Sequence, residues 1–193
     1  LDRPFRLLYV SIAMPYKPQI NVAYAVSALR QKGIAVAIQF VGASLGGYGR
    51  KLRTTLDSLD PEGVFLHWAG GMPFEQLHDT YLNADAFVFA SSCENLPNIM
   101  IEAMAAGLPI ASSKMGPMTE ALGDAGVYFD PTSIASIEAV LSAMIEDGQL
   151  RSQIAADAWQ KVSEYSWVRC AQDTLKYLAK VASSGGRQES AKN

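Results

Sequence analysis

Residues 86–107 read AFVFASSCENLPNIMIEAMAAG, and this stretch predicts a strand, a loop and a helix in succession. The apolar run that opens it shows no polar alternation, which is typical of a parallel strand buried on both faces. Pro97 suits the first helical position, because its fixed φ is helical and its missing N–H would be unpaired there. Good helix formers follow, and Gly107 ends the pattern, so we expect a helix over 97–106.

The same alternation extends to both sides of this stretch. Further strands are predicted at 6–12, 35–41, 64–68, 109–112 and 127–129, and further helices between them at 20–31, 50–59, 74–82 and 118–122. Beyond these elements only helical patterns remain, at 133–146, 149–165 and 168–181. Strands that alternate with helices predict an α/β fold, a doubly wound parallel sheet, here with extra C-terminal helices.

The length and composition favour a single domain over 1–182. The chain has 193 residues and is 49% hydrophobic, which suffices for a full core. Trp159 and Trp167 fall at helical spacing and are expected to anchor that core. Residues 183–193 are rich in Ser and Gly and poor in apolar side chains, so we expect a disordered tail. The chain starts at Leu1, almost directly before a strand, and is therefore expected to be a piece of a longer protein.

Two carboxylates flank the predicted start of the helix. Glu102 is the only charged residue between Ile99 and Ala111, so we expect it to be mostly buried and to need a partner. Glu94 follows the strand, at the edge where open α/β sheets bind ligands. Free N–H groups of the first helical turn lie between the two acids and attract anions. The pattern predicts a receptor for a ligand with hydroxyls at both ends and negative charge in the middle.

The two acids and three neighbouring segments, 84–86 (ADA), 102–110 (EAMAAGLPI) and 126–131 (GVYFDP), resemble a known family in order and spacing. It is the family 4 type of retaining GT-B glycosyltransferases, specifically their C-terminal donor-binding domain with its Glu-x7-Glu signature. The resemblance implies that Glu94 approaches the donor sugar and that Glu102 holds the ribose hydroxyls. It also implies a Rossmann-like half of a GT-B fold.

The resemblance implies a further group of donor contacts. In the family a basic pair before the first helix neutralises the diphosphate, and Lys17 matches its lysine, whereas Ser11, Ile12 and Ala13 stand where the arginine is expected. Lys17 is equally compatible with a solvated loop lysine. The donor-binding segment carries Asn95, Leu96, Pro97, Asn98 and Ile99, where the family more often has a Gly-Phe-Gly-Leu type run. The two asparagines either contact sugar hydroxyls or cap the helix.

Composition argues against several other classes of protein. The formal net charge of −3 gives no support for binding nucleic acid, and no apolar run is long enough to span a membrane. Two cysteines and two histidines lack the spacing of a disulfide framework or a metal site, so we expect no metal and no cofactor, and Cys93 is interpreted as a small buried thiol. A reducing cytoplasm is expected, with peripheral membrane association of the full protein left open.

The glycine-rich loop 42–49 lacks dinucleotide-binding spacing and is interpreted as a connector near the rim of the site.

The predicted function follows from the resemblance. As part of a full-length enzyme of carbohydrate biosynthesis, the chain would bind a nucleoside-diphosphate sugar and supply the donor half of a retaining hexosyltransferase. The acceptor would bind to an N-terminal domain outside this sequence, and the isolated chain would be inactive. Two alternatives stay open: a nucleotide-binding module without activity of its own, and a domain similar to a sugar-nucleotide epimerase.

Overall fold

The computed structural model describes residues 3–185 and contains one six-stranded sheet. The strand order is β3-β2-β1-β4-β5-β6, and every neighbouring pair is parallel. The strands are β1 (Phe5–Val10), β2 (Val36–Val41), β3 (Leu66–Trp68), β4 (Ala86–Phe89), β5 (Ile110–Ser113) and β6 (Val127–Phe129). This arrangement confirms the doubly wound parallel sheet.

Helices connect the strands in the predicted order. They are α1 (Gln19–Gln31), α2 (Gly47–Leu59), α3 (Phe74–Leu82), α4 (Asn98–Ala105), α5 (Met118–Leu122), α6 (Ile134–Glu146), α7 (Gly148–Val162) and α8 (Trp167–Gly185). Helix α1 packs against both α2 and α6. The three helices after β6 confirm the extra C-terminal helices of the sequence pattern.

The core is centred on β1 and β4, which are paired side by side in the middle of the sheet. All four residues of β4 are buried, as the continuous apolar run predicts. Tyr9 of β1 lies between Phe40 and Phe89, with ring centroids 5.8 and 6.1 Å away. Each large side chain buried in this way stabilises the fold by about 1.5–3 kcal/mol, so the aromatic cluster holds the central strands in place.

The described residues fall into two compact units, divided between Lys161 and Val162. The single domain predicted over 1–182 stays a prediction. Helix α8 continues to Gly185, three residues into the predicted tail, and residues 186–193 lie outside the described residues. Trp159 and Trp167 are 60% and 82% exposed, so the prediction that they anchor the core is wrong.

The order of the strands positions the site. From β1 the chain winds outward to β2 and β3, then crosses back to β4 and continues to β5 and β6. The winding direction therefore reverses between β1 and β4, and a crevice forms outside the carboxyl ends of these two strands. The loops that follow β1 and β4 border this crevice. The backbone N–H and the hydroxyl of Ser92 both donate to the carbonyl of Tyr16, at 2.9 and 3.1 Å, which ties the two loops together.

Candidate functional site

Lys17 and Glu94 form an ion pair across the crevice, between Nζ of the lysine and Oε1 of the acid. The Lys17 side chain is only 8% exposed and the Glu94 side chain 15%. The ammonium group also lies 5.1 Å from the centre of the Phe89 ring, on which a cation is favoured. Lys17 is therefore not a solvated loop lysine. The fold brings together two site residues that lie 77 positions apart in the sequence.

The start of α4 differs from the prediction. Pro97 is the N-cap, with φ −80° and ψ 75°, and the helix begins at Asn98. The N–H of Asn98 donates to Leu96 O at 2.9 Å, and the N–H groups of Met100 and Ile101 donate to Pro97 O at 2.9 and 3.2 Å. Pro97 thus lies outside the helical region of φ and ψ, and the N–H of Asn98, which the sequence pattern leaves free, is hydrogen-bonded within the loop.

Other amides of the same segment remain available. Within the described residues 3–185, the N–H groups of Glu94, Asn95, Leu96 and Ile99 have no hydrogen-bond acceptor. The side chains of Asn95 and Asn98 are exposed, and neither caps the helix. The amides without an acceptor therefore extend over the loop rather than being confined to the first turn of α4. Both asparagine side chains remain free to contact a ligand.

Glu102 has a partner within the chain. The hydroxyl of Tyr81 in α3 donates to Glu102 Oε2 at 3.0 Å. The acid is half-buried rather than mostly buried, and among residues 3–185 no donor reaches its other oxygen. Tyr81 thus supplies one partner for Glu102. The other carboxylate oxygen, Oε1, accepts no hydrogen bond from the described residues.

The glycine-rich loop, interpreted from the sequence as a connector, packs against the loop that follows β1. Gly42 has φ +142°, and a Cβ at this position would lie 2.1 Å from the carbonyl oxygen of Ser11. Ala13 donates its N–H to Ala43 O at 2.8 Å, so the loops after β1 and β2 run in contact. Only glycine permits this approach, which fixes the path of the segment leading to Lys17.

Three polar side chains that the sequence analysis does not single out are withdrawn from water close to the loops after β1 and β2. Gln19 is 1% exposed and donates to Ile12 O at 3.1 Å, while its own Oε1 has no partner among the described residues. Burial raises the pKa of the Tyr48 phenol, which the N–H of Ile20 opposes. Burial also raises the pKa of Tyr9 well above its usual value, with the charges of Tyr48 and Glu94 adding to it. Their side chains fall in ordinary core positions of the pattern, which carry no signal of a site.

Cys93 is exposed, so its interpretation as a small buried thiol is wrong. The Ser91 hydroxyl donates to Cys93 O at 3.2 Å, and this tight turn directs the following residues out of the core.

Within residues 3–185, no three His, Cys, Asp or Glu side chains cluster as metal ligands would. In the same part of the chain, no helix combines the length and apolarity needed to cross a membrane.

Comparison with known proteins decides the family. The family model described as glycosyl transferases group 1 matches residues 2–161, which end where the first compact unit ends. The chain belongs to the group 1 glycosyltransferases. Among curated relatives of this glycosyltransferase chain, glycogen synthase of Mycobacterium tuberculosis (strain CDC 1551 / Oshkosh) is 34% identical over 192 residues, covering 96% of the chain and 44% of the relative. O-antigen chain mannosyltransferase B of Escherichia coli is 29% identical over 111 residues, covering 58% and 29%.

Solved structures share the fold. Anabaena Alr3699/HepE in complex with UDP and glucose superposes with a TM-score of 0.81 at 23% identity, covering 92% of this chain and 49% of that one. The C-terminal domain of the group 1 glycosyltransferase LpcC from Francisella tularensis gives a TM-score of 0.74 at 19% identity, with 84% and 87% covered. The sheet is thus the Rossmann-like half of a GT-B fold. The chain spans less than half the length of the curated relatives described above.

Proposed function

We propose that this chain is the donor-binding half of a retaining glycosyltransferase of the family 4 type. It would hold a nucleoside-diphosphate sugar while an N-terminal domain of the same protein presents the acceptor. The observation that carries the proposal is the little-exposed ion pair of Lys17 and Glu94 in the loops after β1 and β4, followed along the chain by unbonded loop amides and by Glu102 on α4. The partial coverage of the relatives supports a second domain, which lies outside this sequence.

Each group fits one part of such a donor. The ribose would hydrogen-bond to the open oxygen of Glu102, the diphosphate would accept from the loop amides and from Lys17, and Glu94 with Asn95 and Asn98 would contact the sugar. Leu96, Pro97 and Ile99 shape the loop that carries these groups. Because Lys17 is held by Glu94 in the structure, donor binding would exchange or share that contact. Lys17 then neutralises the departing diphosphate while Glu94 is left to orient the sugar.

Catalysis in this proposal depends on positioning and on stabilising the leaving diphosphate. Lys17 and the amides supply positive charge without a metal ion. A mannosyltransferase among the relatives, and UDP bound to a structural neighbour, support a hexose carried on a nucleoside diphosphate. The isolated chain would bind the donor without transferring the sugar, because the acceptor site belongs to the other domain. The full-length enzyme would act in the cytoplasm, with peripheral membrane association where its acceptor is a lipid.

Calorimetric titration tests the donor site. UDP, GDP, ADP and their hexose conjugates are titrated into the chain, and we expect one base to bind selectively. Glu102→Gln removes the charge that holds the ribose and should weaken binding about tenfold, since hydrogen bonds to charged groups contribute about 1.5–3 kcal/mol. Glu62→Gln, an exposed change in the loop before β3, is the matched control and should bind as the parent does. Absence of binding by all three nucleotides, or equal binding by Glu102→Gln, would refute the donor site.

A further inference from the structure

Tyr81 connects α3 to the candidate ribose site. It is 4% exposed, and its ring lies 5.9 Å from the ring of Phe87 in the central strand β4. Its hydroxyl lies 3.0 Å from Glu102 Oε2 and 3.3 Å from Ile99 O. A phenol has one proton to donate, and the shorter contact to the charged acceptor is the stronger one. The hydroxyl is thus anchored by the core and directed at the carboxylate.

The hydroxyl is a donor at neutral pH. Burial raises the pKa of Tyr81, and the charge of Glu102 and the hydrogen bond to it raise that pKa further. The carboxylate of Glu102 therefore meets an O–H group rather than a second negative charge. A glutamate has several rotatable bonds, and ordering them on ligand binding costs free energy. A bond already made to one oxygen removes part of that cost.

The alternative is that Tyr81 only satisfies a half-buried acid. The structure argues for more, because one carboxylate oxygen is held and the other has no donor among residues 3–185. A ribose presents two adjacent hydroxyls, which need an acceptor of fixed direction. With Oε2 occupied by Tyr81, the rotation of the carboxylate is set and Oε1 is presented as that acceptor.

We propose that Tyr81 is the positioning residue that aims Glu102 at the ribose hydroxyls and thereby makes the site selective for ribonucleotides. This inference rests on the proposed role of Glu102 in the donor site. Tyr81 itself does not touch the donor; it acts through the carboxylate. Its effect should therefore appear only with ligands that carry ribose hydroxyls.

The test compares two ligands in each variant: the nucleoside diphosphate that binds the parent chain best, and its 2′,3′-dideoxy form. The parent should prefer the ribonucleotide. Tyr81→Phe should weaken ribonucleotide binding about fivefold to tenfold, because the Glu102 side chain is then ordered only when the ligand binds, and leave dideoxynucleotide binding unchanged within about twofold. Tyr24→Phe removes a hydroxyl from an exposed tyrosine of α1 and is the matched control, for which we expect the preference of the parent.

The ratio of the two affinities separates the possible failures. Partial unfolding of Tyr81→Phe would weaken both ligands equally, so an unchanged ratio refutes the positioning role even where affinity falls. If Glu102→Gln abolishes the preference while Tyr81→Phe retains it, Tyr81 does not position the acid although the ribose site stands. If Glu102→Gln retains the preference, the proposed ribose contact itself is wrong. In the double variant Tyr81→Phe/Glu102→Gln, the tyrosine change should add nothing to the loss of preference.

Discussion

We predict that breaking the ion pair of Lys17 and Glu94 from one side destabilises the fold measurably. We consider Lys17→Met, which keeps most of the apolar stem and removes the charge. The two side chains are 8% and 15% exposed, so the pair is largely withdrawn from water. Removing one partner of a buried pair costs about 3–5 kcal/mol, because the other charge is left unpaired. Glu94 retains some exposure and can take up water, so we expect a loss near the lower end, about 3 kcal/mol.

Urea and thermal unfolding give the magnitude. A loss of about 3 kcal/mol corresponds to a fall of roughly 6–12 °C in the unfolding midpoint for a chain of this size. The double variant Lys17→Met/Glu94→Gln leaves no unpaired charge and should cost less than the sum of the single changes, with a coupling free energy of about 2 kcal/mol.

The chain offers a matched control for this experiment. Lys176 pairs with Asp173 in α8, and their side chains are 76% and 60% exposed. Lys176→Met should cost no more than about 1 kcal/mol, as exposed pairs do. If Lys17→Met costs as little as Lys176→Met, or if its effect adds fully to that of Glu94→Gln, the two groups are not paired in a water-poor environment and the reasoning fails.

Two further predictions concern the framework of the site. Gly42→Ala forces a Cβ against the carbonyl of Ser11 at a positive φ and should destabilise the fold by about 2–4 kcal/mol. Gly47→Ala, in an unstrained helical position, is the control and should not destabilise it. Equal unfolding midpoints of the two variants in chemical denaturation would contradict this prediction. Burial raises the pKa of the Asp60 carboxyl, but backbone N–H groups at the start of β3 hold it below its usual value overall. The stabilisation by the Asp60 carboxylate is therefore complete above about pH 4 and is lost as the pH falls through the lower folded pKa. When the free energy of unfolding is measured with urea at a series of pH values, that of Asp60→Asn should fall less steeply at acid pH than that of the parent.

The order of strands and helices could be predicted from the sequence because apolar runs and helix-forming segments are both local patterns. In an α/β protein, a continuous apolar run such as that of β4 is typical of a strand that is covered on both faces of the sheet. The same reasoning failed by one residue at Pro97, which fits the first helical position equally well as an N-cap. Trp159 was misplaced because helical spacing identifies a face without saying whether another element covers it.

The chemistry of the candidate site was predictable residue by residue but not contact by contact. Lys17 and Glu94 were both identified, yet their pairing joins loops 77 positions apart. Tyr81 lies 21 positions before Glu102 and occupies a helix with no motif of its own. Such contacts depend on how the fold places α3 beside α4, which no spacing within a single element encodes.

The hydrogen bonds from Ser92 to Tyr16 have a consequence for the engineering of the two loops. They connect the loop that carries Lys17 to the loop that carries Glu94, so neither can change length without moving the other. Transplanting one loop from a relative would leave the graft mismatched to its neighbour. Chimaeras should therefore exchange both loops as a single cassette, with the glycine at position 42 retained beneath them.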